Sequence, residues 1–292
     1  MNNNPIGIFD SGVGGLTVFS KLVKQLPNEN YIYFGDTKNL PYGTKSKDEL
    51  IKLAKNIFDF YAEQKAKAVI MACNTTSAVT YEVLKNDYDF IIYPVIQIAA
   101  KCISEQPIKK IGVLSTQATA DSHAYRNSIQ KYNNSIEVFE QGCPGWVQIV
   151  ENKTFEDKES IQLVKDYLEK ITENQVDKVI LGCTHYPYLR NILNKFVDDN
   201  LFIDPAECFV DYIYNDLEIK NLTTIKQDYK PKFIVSAEPE NFFNAAEMFY
   251  QLDKIPTVVW TCKCEVKSIY DIILNTYQVK IRNSKWKKFY LF

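Results

Sequence analysis

Two cysteines stand in nearly the same setting 110 positions apart. One closes the run Lys67-Ala68-Val69-Ile70-Met71-Ala72-Cys73-Asn74-Thr75, the other Asp177-Lys178-Val179-Ile180-Leu181-Gly182-Cys183-Thr184-His185. Each run is apolar and rich in β-branched residues, and each ends in a small residue, a cysteine and a hydrogen-bonding side chain. A buried parallel strand reads this way, and ligands bind at the carboxyl ends of such strands. The thiolate is the reactive form of cysteine, and a free thiol titrates near ~8.5 unless its surroundings shift it. Two thiols at two strand ends suit a proton transfer with one thiol on each side of a substrate. His185, one of two histidines in the chain, lies two residues past Cys183, and Asp10 ends the first expected strand on the sheet edge of Cys73. An imidazole or carboxylate beside a thiol can hold or relay its proton.

A single cysteine is more often a small buried hydrophobe than a reagent, and Cys102 and Cys208 read that way. Cys143 sits in the loop Gly142-Cys143-Pro144-Gly145, close to the expected cleft. A metal held by Cys183, His185 and Cys73 is the competing chemistry, but no C-x-x-C spacing supports it. Cys262-x-Cys264 alone is weak. The turn Asp10-Ser11-Gly12-Val13-Gly14-Gly15, between a strand and a helix, lets backbone N–H groups approach an anion. It is neither a dinucleotide fingerprint, because position 17 is Thr, nor a nucleophile elbow around Ser11. Hydroxyls and amides gather after strand ends at Asn74, Thr75 and Thr76, at Thr116, Thr119 and Ser122, and at Thr184. N-capping accounts for some of them. The rest suit a small molecule rich in carboxylates.

The elements that must position these groups alternate. Strands are expected at 6–9, 31–34, 67–72, 90–93, 110–114, 136–139, 178–181 and 232–235, and 201–205 closes the second half. Helices are expected from Leu16, over 47–64 with apolar residues at helical spacing, and over 77–84, 121–132, 161–172 and 208–217. The fold class is α/β: two similar αβ domains with mainly parallel sheets, related by a pseudo-two-fold, with the active site in the cleft between them. The expected division is 1–96 plus 207–264, then 97–206, with an atypical tail over 265–292.

The 292 residues include 46% hydrophobic and 24% charged positions, ordinary for a globular protein. A net charge of −2 supplies no field for nucleic acid. No apolar run reaches the ~18 residues of a membrane span, and the start lacks the pattern of a signal peptide. Seven scattered cysteines argue against a disulfide framework. A cytoplasmic protein is expected.

At the segments FDSGVGGLTV (9–18), YFGDTKNLPYGTKS (33–46), ACNTTSA (72–78), GCTHYP (182–187) and IDP (203–205) the chain resembles glutamate racemase, of the cofactor-independent aspartate/glutamate racemase superfamily. Looser matches are GVLSTQATADSHAY (112–125) and CPGWVQIVEN (143–152), so the resemblance runs over roughly residues 5 to 250. It implies Cys73 and Cys183 as acid/base thiols, assisted by Asp10, Asp36, Glu151 and His185. It implies substrate contacts from Asp10, Ser11, Pro41, Tyr42, Gly43, Cys73, Asn74, Thr75, Thr116, Thr119, Cys183, Thr184 and His185. It also implies no cofactor, no metal, a homodimer, and D-glutamate for peptidoglycan as the product. Ser115 stands where the family commonly has glycine, and the aromatic, basic stretch after about Trp260 does not resemble a family C-terminus. The alternatives are an aspartate racemase, a superfamily decarboxylase, which needs only one of the two cysteines, and a binding protein on the same fold.

Overall fold

The structure, a computed structural model, describes residues 2–224 and 229–259. The expected tail and the Cys262-x-Cys264 pair lie outside the described residues. The chain enters through β1 (Ile6–Asp10), buried at every position as a central parallel strand must be. It continues through α1 (Leu16–Gln25), β2 (Tyr31–Gly35), α2 (Lys47–Glu63), β3 (Ala68–Met71), α3 (Asn74–Leu84), β4 (Ile91–Pro94) and α4 (Val95–Ser104). A second run follows: β5 (Lys110–Ser115), α5 (Gln117–Asp121), α6 (Ala124–Tyr132), β6 (Glu137–Gly142), α7 (Trp146–Glu151), α8 (Lys158–Thr172), β7 (Lys178–Gly182), α9 (Arg190–Leu193) and β8 (Phe202–Ile203). The chain returns through α10 (Pro205–Ile219) to β9 (Lys232–Val235), α11 (Pro239–Ala246) and β10 (Thr257–Val258).

Among the described residues the strands form two parallel sheets, ordered β10-β9-β2-β1-β3-β4 and β6-β5-β7-β8. The order β2-β1-β3-β4 recurs as β6-β5-β7-β8, so the unit is repeated in topology. Cys73 follows β3 and Cys183 follows β7. The two matching sequence runs therefore hold equivalent places in the two sheets. Helix α4 carries the chain from the first sheet to the second, and α10 begins the return.

Local chemistry explains the elements that matter most for the site. Helix α2 starts in a capping box in which Ser46 and Glu49 satisfy each other's backbone N–H groups. Its buried Leu50, Ala54, Ile57, Phe58 and Tyr61 cover one face of the first sheet, against Phe9, Val69 and Met71. The other face joins a continuous apolar core that runs through Leu22, Ile96 and Phe209 to Val113 and Leu181 of the second sheet. Each such side chain stabilises the fold by about 1.5–3 kcal/mol on burial. At the opposite strand ends, Lys67 lies 2.6 Å from Glu29 and donates to the carbonyls of Asn2 and Leu222. That paired charge ties the chain after α10 to the base of the first sheet.

Several boundaries differ from the sequence reading. Helix α3 begins at Asn74, directly after Cys73, and not at Ser77, so the cysteine itself is the N-cap. The helix expected over 121–132 starts only at Ala124, as α6, and a separate short helix, α5, precedes it, the two parted by His123 at a left-handed φ of 53°. Periodicity did not reveal α4, α7, α11 or β10. Helix α4 buries Val95, Ile96, Ile98, Ala99, Ala100 and Ile103 and leaves Lys101 exposed.

Candidate active site

The parallel register of β1 with β3 sets Phe9 beside Met71, which brings Asp10 and Cys73 out together at one sheet edge. The Cys73 N–H donates to the Phe9 carbonyl at 3.4 Å, and its thiol lies 3.9 Å from the Ser11 hydroxyl. Asp10 is fully buried. One of its oxygens accepts from the Gly12 N–H at 2.9 Å, and the other accepts from the Thr184 hydroxyl at 3.4 Å. Burial pushes Asp10 up to about 6, although the His185 charge and backbone donors oppose it. Burial and then the Asp10 charge push Cys73 up to about 12, against the donors of Thr76. Cys73 is therefore a neutral thiol at neutral pH.

The other side is built around a cation. His185 Nδ1 lies 3.8 Å from Cys183 Sγ, and Nε2 lies 3.2 Å from Glu151 Oε1. Burial alone would lower the imidazole pKa. Its hydrogen bonds to Cys183 and Glu151, with their charges, outweigh that and raise it to about 10. The glycine turn packs against this pair. A Cβ on Gly14 would fall 2.3 Å from Thr184 Oγ1 and 2.6 Å from His185 Nδ1, so only glycine lets the turn approach so closely.

Between the two thiols lies a cavity of about 160 Å³. Of the residues expected at the substrate, Ser11, Pro41, Tyr42, Gly43, Cys73, Asn74, Thr75, Thr116, Cys183, Thr184 and His185 line it. Hydroxyls of the two halves meet there. Thr75 and Thr116 are 2.9 Å apart, Thr116 and Thr119 are 3.0 Å apart, and Thr119 reaches Thr75 at 3.4 Å. The Tyr125 hydroxyl donates to Asn74 Oδ1 at 2.7 Å, which fixes the orientation of that amide. The N-terminus of α3 presents its first backbone N–H groups at Cys73, a natural place for a carboxylate.

Four expected residues stand behind the lining. Asp10 lies beneath the glycine turn. Asp36 accepts from the Tyr42 hydroxyl at 2.5 Å and from the Asn39 amide at 2.9 Å, so it holds the Tyr42 segment. Glu151 backs His185, and Thr119 backs Thr75 and Thr116. The sequence reading missed Leu40, Thr44, Gln117, Pro144, Gly145, Val147, Gln148 and Tyr186, which also line the cavity. All lie inside the quoted motifs, but their ordinary residue types carried no chemical signal. Cys143, expected near the cleft, lines it as well. Among the described residues no three His, Cys, Asp or Glu side chains are grouped to hold a metal ion, and no helix is long and apolar enough to cross a membrane.

Comparison with known proteins agrees with this geometry. The model of the Asp/Glu/Hydantoin racemase family matches residues 6–213. A glutamate racemase of Thermoanaerobacter pseudethanolicus is 40% identical over 250 residues, which cover 85% of this chain and 94% of that protein. One from Trichormus variabilis is 41% identical over 239 residues, covering 82% of each. Among solved structures, the glutamate racemase of Francisella tularensis in complex with D-glutamate superposes with a TM-score of 0.83 at 35% identity, covering 89% of this chain and 99% of that one. The Thermus thermophilus glutamate racemase in complex with β-chloro-D-alanine gives 0.80 at 31% identity, covering 89% and 98%. With its repeated βα unit and two facing cysteines, this chain belongs to the Asp/Glu/Hydantoin racemase family and is an amino-acid racemase.

Proposed function

We propose that the chain interconverts L- and D-glutamate by a two-base mechanism in which Cys183 and Cys73 face opposite sides of the α-carbon. The observation that carries this reading is that the two cysteines follow equivalent strands of the repeated sheets and line one cavity together. The His185 ring lies 3.8 Å from the Cys183 sulfur, so Cys183, with an imidazole at hand, is assigned the part of the base. Cys73 holds its proton and acts as the acid. Cys183 removes the α-proton of L-glutamate, and Cys73 delivers its own proton to the other face, giving D-glutamate. The reverse reaction starts from the inverted proton arrangement.

An amino-acid α-proton is a poor acid, so the site must stabilise the carbanion with donors already aimed and water excluded. The α3 N-terminus, Ser11, Asn74, Thr75, Thr116 and Thr184 are those donors, and they also hold the substrate carboxylates. When Cys73 gives up its proton, the Thr76 hydroxyl and N–H are the donors that favour the thiolate. Asp10 and His185 stand beside the two thiols, Glu151 holds His185 and Asp36 holds the Tyr42 segment. The D-glutamate would supply peptidoglycan synthesis in the cytoplasm, from a homodimeric enzyme, as family resemblance implies.

Purified protein supplied with L-glutamate and no cofactor should form D-glutamate, read by chiral chromatography, and should leave L-aspartate largely unconverted. Cys73→Ser and Cys183→Ser should each lose at least about 10²–10⁴-fold in rate, and near-native turnover in either would exclude two thiol bases. Iodoacetamide at neutral pH should alkylate Cys183 well before Cys73, as read by peptide mass spectrometry. Equal alkylation of both thiols in the native enzyme would contradict the assignment of Cys73 as the protonated thiol.

Asp10 gives a stability test with a definite sign. Its folded pKa of about 6 lies above the ordinary 3.8, so the fold favours the protonated form. On its account stability falls as pH rises through that interval, and the full cost is present above about 6. Asp10→Asn should therefore raise the stability of the fold at neutral pH by up to about 3 kcal/mol while it cuts racemisation. Urea unfolding at pH values on either side of the interval measures this, and a destabilised variant would refute it.

A further inference from the structure

Cys102 and Cys208 have no part in the chemistry above, yet they meet at a particular place in the fold. Cys102 is in the last turn of α4 and Cys208 in the first turn of α10. These helices carry the chain from the first sheet to the second and begin the return. The Cys102 sulfur lies 3.9 Å from the Cys208 carbonyl oxygen, and the Cys208 sulfur lies 3.7 Å from the Pro205 carbonyl. Both cysteines are free and partly buried, and the Cys102 sulfur rests against the Cys208 backbone where α4 packs on α10.

We infer that Cys102 and Cys208 form a peroxide-sensitive dithiol that closes into a reversible disulfide between α4 and α10. The pair is chemically unequal in the way such a step requires. Interaction with the Cys208 side chain lowers Cys102, and the same interaction, with burial, raises Cys208. Cys102 is assigned as the first thiol oxidised and Cys208 as the resolving thiol. In the first step the Cys102 thiolate attacks one oxygen of hydrogen peroxide. The O–O bond breaks, an S–O bond forms, and hydroxide leaves, so that Cys102 becomes a sulfenic acid. In the second step the Cys208 sulfur attacks the Cys102 sulfur, an S–S bond forms, and the sulfenic hydroxyl leaves as water with the Cys208 proton. Peroxide is reduced by two electrons and the two thiols are oxidised by the same two. In a reducing compartment such a bridge is transient and serves as a sensor rather than a staple. It would join the outgoing connection between the sheets to the returning one.

The test uses the full-length chain and does not depend on its racemase activity. Reduced protein is treated with hydrogen peroxide, remaining thiols are capped with iodoacetamide, and peptides are mapped with and without dithiothreitol. The expected product is a peptide pair linked through Cys102 and Cys208 that dithiothreitol releases. Cys102→Ser should lose the link. Cys208→Ser should lose it too and leave a sulfenic acid on Cys102 that dimedone traps. Recovery of both cysteines as free thiols from the native chain, or Cys102 linked to a different cysteine, overturns the assignment.

Discussion

A buried imidazole beside Cys183 and a buried carboxylate beside Cys73 give the two strand-end cysteines unlike surroundings. His185 is enclosed, and an isolated charge in that position would be given up by losing its proton. It keeps the proton because Cys183 and Glu151 flank its two nitrogens. Asp10 acts in the opposite direction on the other thiol, since its negative charge beside Cys73 makes a second anion there costly. The repeated βα unit supplies two equivalent strand ends, and the charges between them break the equivalence. A racemisation needs that asymmetry at any instant and needs it to be reversible over a cycle.

Much of the remaining fold holds these charges in place. The register of β1 on β3 fixes Asp10 against Cys73, and the glycine turn is bare enough to reach Thr184 and His185. Thr184 then bonds to Asp10 from the other half, so the carboxylate that governs one thiol is held by a neighbour of the other. Raising the Asp10 pKa by burial costs stability at neutral pH. Such a cost persists at a functional site because the surrounding core over-determines the geometry.

The sequence carried this arrangement unevenly. The two cysteine strands, Asp10, the glycine turn and His185 were legible because their residue types are unusual at strand ends and their spacing repeats. The roles of Asp36 and Glu151 came only through resemblance, since a carboxylate that acts by holding Tyr42 or His185 has no local pattern of its own. Helix α4 went unread, although its buried Val95, Ile96, Ala99 and Ile103 stand at helical spacing. The break between α5 and α6 depends on a left-handed His123, which no propensity signals. The apolar and amide lining of the cavity, such as Leu40, Val147 and Gln148, became visible only when the two halves came together.

The most direct measurement is isotopic. Native enzyme is given L-glutamate in D2O, and both enantiomers are separated at low conversion and examined by NMR for deuterium at the α-carbon. Two thiols on opposite faces predict D-glutamate carrying solvent deuterium while the unconverted L-glutamate keeps its protium. D-glutamate that retains the original proton, or deuterium entering the L-substrate as fast as product forms, would mean that one base serves both faces and would contradict the division of labour between Cys183 and Cys73.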